Sequence, residues 1–353
     1  MESFVFGGVP ARVVFGSGTL ARLPEELDRL ERRRALVLAT PQQVDQAERV
    51  RDLLAHRAAG IYAQATMHTP VEVTEDALAA AAACGADCTV AIGGGSTTGL
   101  GKAIALRTGL DQIVVPTTYA GSEMTDILGQ TEDGVKTTIR SPDVQPEVVI
   151  YDVDLTLSLP RGLTGTSGMN AIAHAVEALY AVDRNPVISL IAEEGIRALS
   201  AVLPKLTAVP DDRDARSDAL YGAWLCGIAL GGAAMALHHK LCHTLGGTFD
   251  LPHAETHAIV LPHAAAYNAP AAQDAMARVA RALGGADAPA GLHALAQSID
   301  APRSLRELGM PESGIDAAAD RAVQSPYANP RPIERTAIRA LIARAWAGEP
   351  PVT

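Results

Sequence analysis

The spacing of apolar and polar positions changes along this chain. Ala35-Leu-Val-Leu-Ala39 is an uninterrupted apolar run, and Cys88-Thr-Val-Ala-Ile92 and Gln112-Ile-Val-Val-Pro116 have the same character. Short runs of this kind fit strands buried on both faces. A weaker strand is expected over 60–65. Between the runs the period lengthens. Residues 42–58 are amphipathic at helical spacing, 74–84 are alanine-rich and helical, and 96–107 continue as a helix from a glycine run. Strands alternating with helices predict parallel β-α-β units with right-handed crossovers. A hairpin turn is expected at Asp133-Gly134, and Val148-Val-Ile-Tyr151 reads as a further strand. Beyond Pro160 the helical period takes over. Two domains follow: an α/β domain over 1–160, and an all-helical domain over 161–353.

Composition narrows the function classes. The 353 residues carry a formal charge of -11, and 48% of them are hydrophobic. This is a globular profile with no basic face for nucleic acid or an anionic membrane. The longest uncharged apolar stretch, 219–237, falls short of the ~20 residues that a bilayer needs and is interrupted by glycines, so it reads as one buried helix. The N-terminal stretch has no basic start followed by an apolar run, so no signal peptide is expected. The four cysteines, Cys84, Cys88, Cys226 and Cys242, lack paired zinc spacing and read as free thiols of a reducing cytoplasm.

The strongest local motif is Ala91-Ile-Gly-Gly-Gly-Ser-Thr-Thr98. Gly93, Gly94 and Gly95 end a strand, and Ser96 opens a helix. Glycine lets backbone amides approach a phosphate, and the helix N-terminus adds partial positive charge. Ser96 is expected to cap that helix or to bond a phosphate oxygen. Gly16-Ser-Gly18 reads as a turn with Ser17 or Thr19 capping the next helix. A second loop, Thr117-Thr118 through Gly121-Ser122-Glu123, follows the next strand. Thr117, Thr118 and Ser122 suit a diphosphate or ribose, and Lys136 beyond the hairpin turn is a further candidate. Two such loops on neighbouring strand ends form a ligand crevice at the carboxyl edge of a parallel sheet. The first strand ends in Ala39-Thr40-Pro-Gln42 with no carboxylate to grip a 2′-hydroxyl, so weak discrimination between NADH and NADPH is expected.

The second half carries a histidine constellation. Eight of the ten histidines lie after residue 170, and five fall between 238 and 257. Asn170 and His174 are four apart, as are His239 and His243, and His253 and His257. In a helix that spacing shares one face. Imidazoles with a carboxylate would suit iron or zinc.

The glycine loop, the Thr117-Thr118 to Glu123 loop, the Gly168-Met169 to His174 helix and the His239 to His253 stretch occur in one order. Together they resemble the iron-containing (group III) alcohol dehydrogenases. The resemblance implies a dehydroquinate synthase-like fold with an active site in the cleft between the domains. In metal-dependent members an aspartate and three histidines hold the ion, and those roles fall on Asn170, His174, His239 and His253. Asn170 departs from that pattern, as does Gly99, where the family commonly has an aspartate. Both departures, with Thr40-Pro-Gln-Gln43 and Pro252-His-Ala-Glu-Thr-His257, resemble the maleylacetate reductase branch. That branch reduces the double bond of maleylacetate to 3-oxoadipate in aromatic catabolism, including that of resorcinol, hydroxyquinol and chloroaromatic compounds.

The resemblance therefore implies NADH or NADPH as cofactor, no metal, a dicarboxylate substrate and a cytoplasmic homodimer. His239, His243 and His253 are expected to line the site, one of them polarising the ketone or donating a proton. His174 and Asn170 are expected to support them by hydrogen bonding. Lys240, Arg331, Lys136 and Arg140 are candidates for the substrate carboxylates, with Arg331 free to swing over the cleft. The alternative is a metal-dependent alcohol or polyol dehydrogenase of the same superfamily.

Overall fold

The structure, a computed structural model, describes residues 11–132, 134–324 and 327–353. The apolar segment Phe4-Val-Phe6, which reads as a strand from its sequence, and Asp133 of the hairpin turn lie outside them, as does the side chain of Lys136. The chain divides into two compact units between Leu159 and Pro160.

The first unit alternates strands and helices: β1 (Arg12–Gly16), α1 (Leu23–Arg29), β2 (Ala35–Leu38), α2 (Val44–Leu54), β3 (Ala58–Tyr62), α3 (Val71–Cys84), β4 (Cys88–Gly93), α4 (Gly95–Thr108) and β5 (Asp111–Pro116). A hairpin of β6 (Ile127–Glu132) and β7 (Val135–Arg140) precedes β8 (Val148–Asp152). Six strands form one parallel sheet in the order β1-β8-β5-β4-β2-β3. Both faces are covered, which explains the continuous apolar runs. Alternate residues serve opposite faces: Val37, Val90 and Ile113 meet α1 and α2, while Leu36, Ala91 and Val114 meet α3 and α4.

This strand order places a topological switch between β2 and β4. From β2 the chain moves outward to β3, then crosses back over β2 to β4 and continues the other way. Loops leaving the carboxyl ends of β2 and β4 therefore diverge onto opposite faces and leave a crevice between them.

The expected caps are corrected here. Neither Ser17 nor Thr19 caps the turn after β1. Instead Asp152 at the end of β8 accepts the Gly18 and Leu20 amides at 3.0 and 2.8 Å, while Thr19 Oγ1 donates to the carbonyls of Gly16 and Tyr151. Ser96 caps nothing. The N-cap of α4 is Gly94, without a side-chain bond, and the Thr97 and Thr98 hydroxyls donate back to the Gly94 carbonyl at 2.8 and 3.2 Å. Ser96 is left half-buried at the helix opening.

The second unit is helical: α5 (Arg161–Tyr180), α6 (Pro186–Ala208), α7 (Arg213–Gly232), α8 (Leu237–Phe249), α9 (His253–Asn268), α10 (Gln273–Ala282), α11 (Ala288–Ser298), α12 (Gly314–Val323) and α13 (Arg335–Ala347). Helix α5 is buried from Thr164 to Tyr180 and forms its axis. The apolar faces of α8, α9, α12 and α13 share a core that includes Leu241, Val260, Ala318 and Ile342. The stretch 219–237 is not one helix. It breaks between α7 and α8, which meet at 96°. Among the described residues no single helix is long and apolar enough to cross a membrane.

Candidate functional site

In the first unit the loops after β2, β4 and β5 converge on the switch. Gly93 has φ +148°, a conformation that side chains disfavour, and a Cβ there would lie 2.6 Å from both Gln43 Oε1 and Thr97 Oγ1. Gln43 links the three loops. Its Nε2 donates to Thr117 Oγ1 at 3.0 Å, and Thr40 Oγ1 donates to its Oε1 at 3.2 Å. Sequence reasoning missed this glutamine, although Pro41-Gln42-Gln43 follows a buried strand at the right place. The loop from Gly121 to Ile127 is held by Lys102, which is fully buried on α4. Its Nζ donates to the carbonyls of Ser122, Thr125 and Ile127 at 2.6 to 2.8 Å. Burial lowers this lysine to about 7. Thr118 and Ser122 are half-buried, Thr117 is buried, and Lys136 lies on β7 of the hairpin.

The sequence departure at Gly99 has a steric partner. A Cβ at Gly99 would lie 2.4 Å from Oγ1 of Thr69, a buried residue with φ +46°. The room that an aspartate would need on α4 is filled by the segment before α3.

Beside the glycine loop lies a pocket of about 710 Å³, lined by Thr40, Tyr62, Glu72, Asp76 and Ser96 among others. The cradle fits the diphosphate and adenosine of a dinucleotide: free amides at a helix start, no Cβ in the approach, and a pocket at the switch. We expect Gly93→Ala to weaken NADH binding by about 10- to 100-fold, because the backbone must move by more than local strain allows. Titration of NADH fluorescence checks this, and an unchanged dissociation constant contradicts it.

In the second unit three helices assemble the histidines. Asn170, His174 and Glu177 lie at i, i+4 and i+7 on α5, one face of a helix. His238, His239 and His243 come from α8, and His253 and His257 from the first turns of α9. The rings form a continuous array. His174 stacks on His239 with centroids 4.9 Å apart, His239 and His257 are 5.0 Å apart, and His257 and His253 are 4.2 Å apart. His243 stacks near His253 at 6.4 Å. His174, His238, His239 and His257 are buried, whereas His243 and His253 are exposed. The array thus runs from the interior to the surface.

Glu177 organises this array and was missed as a functional residue. It is fully buried. It accepts the Ala236 and His238 amides at 2.8 Å, His239 Nδ1 at 2.7 Å and the Tyr180 hydroxyl at 3.1 Å. The carboxylate therefore caps α8 from a different helix and fixes one nitrogen of His239. Burial alone would raise its pKa. The His239 hydrogen bond and the attraction of His239 and His238 outweigh burial, with help from the Ala236 amide, and hold it at about 2. The signal that would have found it is the third position on the Asn170–His174 face.

Three of the interior imidazoles are kept neutral. Burial first, then repulsion from neighbouring imidazoles, lowers His174 and His257 well below the ordinary range and His238 to about 3. His238 Nε2 and His257 Nδ1 share a hydrogen bond at 2.9 Å, with Cys242 Sγ 3.7 Å from His238. Among the described residues these three are the group with ligand atoms close enough for a metal; His238 Nε2 and His257 Nδ1 already bond one another, while His238 Nδ1 and His257 Nε2 have no partner in the protein.

The positions that the resemblance assigns to a metal hold neutral donors. Asn170 Oδ1 and His239 Nε2 are buried without a partner in the protein, which suits a ligand. Yet Asn170 contributes an amide, and Glu177 is committed to His239 and the α8 amides. A buried ferrous ion would have no anion in contact. The donor set lacks the carboxylate that the resemblance assigns to the metal-dependent members.

Other expectations change. Asn170 and His174 do not support the array through Asn170 Oδ1 or His174 Nδ1, since both are buried without a partner. His174 supports His239 by stacking. Arg331 is not free to swing. Its guanidinium lies 4.4 Å from the Tyr267 ring, and Nη1 donates to the Tyr267 carbonyl at 3.1 Å. The 327–331 loop is tied to both α8 and α9. Lys240 Nζ lies 5.8 Å from the Tyr327 ring, and Asn329 exchanges hydrogen bonds with Asn268. Lys240 and Arg331 therefore belong to the helical unit with the histidines. Lys136 and Arg140 lie on the hairpin of the other unit, where Arg140 pairs with Asp126 at 2.8 Å.

Known proteins are similar to this chain over nearly its whole length. Residues 10–153 match the family described as iron-containing alcohol dehydrogenase, and 164–346 match the C-terminal part of the Fe-containing alcohol dehydrogenase family. A maleylacetate reductase of Burkholderia cepacia is 59% identical, covering 99% of this chain and 100% of its own. The crystal structure of maleylacetate reductase from Agrobacterium tumefaciens has a TM-score of 0.96 at 57% identity, covering 99% of this chain and 100% of that one. An iron-containing alcohol dehydrogenase from Corynebacterium glutamicum has a TM-score of 0.95 at 42% identity, covering 99% and 98%. The chain belongs to the iron-containing alcohol dehydrogenase family, in its maleylacetate reductase branch.

Proposed function

We propose that this protein reduces the carbon–carbon double bond of maleylacetate to 3-oxoadipate, at the expense of NADH or NADPH and a proton, without a resident metal ion. The full-length similarity to maleylacetate reductases supports the reaction. The observation that carries the metal-free part is Asn170, a neutral amide where a carboxylate would hold the ion, above a Glu177 that is already bonded.

The bound nicotinamide supplies the hydride that adds to the alkene. The glycine loop at 93–96, Thr117, Thr118 and Ser122 would hold the cofactor, with Ala39 and Thr40 ending the first strand of the crevice. Charge that develops on the conjugated ketone oxygen needs a positioned hydrogen-bond donor. We assign that role to His253. It opens α9, and its ring nitrogens can offer a hydrogen-bond donor there. His243 lies within α8, one turn beyond His239, and is assigned as the proton donor to the neighbouring carbon. His239 is positioned by Glu177. Lys240 and Arg331 supply cations for the two carboxylates.

The free cysteines fit a reducing cytoplasm, and the family resemblance supports a homodimer. The test follows NADH absorbance with maleylacetate and identifies the product by mass. We expect NADH consumption and a product heavier by two hydrogens. No consumption, together with oxidation of ethanol or glycerol by NAD, would overturn the reading in favour of an alcohol dehydrogenase.

A further inference from the structure

The sequence places no carboxylate at the end of the first buried strand, which suggested weak discrimination between NADH and NADPH. The fold supplies carboxylates from elsewhere. The pocket beside the glycine loop is bounded on one side by Thr40 and Gln42 after β2 and on another by α3. Glu72 and Asp76 lie at i and i+4 on α3, one face of the helix. Both line the pocket, and among the described residues no lysine, arginine or histidine lines it. Asp76 is held in place. The Tyr62 hydroxyl, at the end of β3, donates to its Oδ2 at 2.9 Å. Burial, and then the Asp76 hydrogen bond, pushes Tyr62 up to about 12, so it stays a donor throughout the neutral range.

We propose that Glu72 and Asp76 make this enzyme select NADH over NADPH, by facing the 2′ position of the adenosine ribose with negative charge. The proposal rests on the reading that this pocket holds the adenosine end of a nicotinamide dinucleotide. A 2′-hydroxyl can donate to a carboxylate. A 2′-phosphate, like other phosphate monoesters, carries between one and two negative charges near neutral pH. It would meet two carboxylates and no compensating cation, and like charges at close range reject a partner. The role usually filled by an acidic residue at a strand end is filled here across the pocket, by a helix that follows the next strand.

The experiment measures dissociation constants for NADH and NADPH by coenzyme fluorescence on the whole protein, without substrate. This keeps the test separate from the assignment of maleylacetate. We expect NADH to bind about tenfold more tightly than NADPH at low ionic strength, with the ratio shrinking as salt screens the carboxylates. Glu72→Gln and Asp76→Asn are each expected to narrow the ratio, and the double variant to narrow it further, mainly through tighter NADPH binding. Glu75→Gln is the control. Glu75 lies on the same helix, does not line the pocket and sits 3.8 Å from Arg107. Removing it deletes an equal charge and should leave the ratio nearly unchanged.

Equal affinity of the unmodified protein for both coenzymes would overturn the proposal. So would a ratio that is insensitive to the Glu72 and Asp76 variants, or a Glu75→Gln effect as large as theirs. Binding of neither coenzyme would overturn both this proposal and the nucleotide reading. Selective NADH binding with no turnover of maleylacetate would uphold this proposal and overturn only the substrate.

Discussion

Removing one imidazole, His243→Ala, is expected to lower kcat with maleylacetate by about two to four orders of magnitude, the range associated with loss of a positioned proton donor. The expectation follows from where the array meets solvent. His174, His238 and His257 are buried and held neutral by desolvation, so they do not exchange protons readily near neutral pH. His243 and His253 are the exposed members, and their rings lie 6.4 Å apart. NADH binding should persist, because the glycine loop belongs to the other unit. His253→Ala should also lose kcat, with a different signature. Loss of a donor to the ketone oxygen reduces kcat and kcat/KM together without removing the high-pH limb expected of a proton donor at His243. Turnover of His243→Ala close to that of the unmodified enzyme would remove it from the chemistry.

The second large effect is expected at Glu177, which touches no reacting atom. Glu177→Gln keeps the shape but replaces an acceptor oxygen with an amide that carries hydrogens. At least one of the Ala236, His238 and His239 donors then faces another donor in a buried setting. The loss is of order 3 kcal/mol in stability, as for breaking a buried charged hydrogen-bond set. A fall in kcat of about 10- to 100-fold is expected as well, the usual consequence of removing a partner that orients an active-site imidazole. Thermal unfolding and kinetics at saturating NADH measure the two parts. Glu177→Asp should recover some stability and little activity, because the shorter side chain still offers a carboxylate but not at His239. If Glu177→Gln lost stability alone, with kcat unchanged, Glu177 would be a cap for α8 and no more.

These two residues mark what the sequence could and could not reveal. Strands β2, β4 and β5 were visible because both faces of the parallel sheet are covered, so their apolar runs are continuous. The switch between β2 and β4 was not visible, since strand order depends on pairing across the sheet. The break between α7 and α8 was hidden for a similar reason. No Ser, Thr, Asp or Asn near Ala236 announces a helix start, and the capping carboxylate comes from 59 positions earlier. Ser96 looked like a cap, but Thr97 and Thr98 turn back to Gly94 and leave its hydroxyl uncommitted to the helix. The histidines were legible by density and i, i+4 spacing. Which of them are buried, and so which can give up a proton, depends on the packing of three helices. Arg331 drew attention because it follows a proline, yet Tyr267 fixes it in place.

The central proposal is that this member of an iron-named family performs its reduction without a resident metal ion. The most direct measurement is NADH consumption with maleylacetate by protein exhaustively dialysed against chelator, compared with the same protein after addition of ferrous iron or zinc. The account predicts full turnover by the dialysed protein and no gain on adding either metal. Loss of turnover on dialysis, restored by one equivalent of iron or zinc, would contradict it.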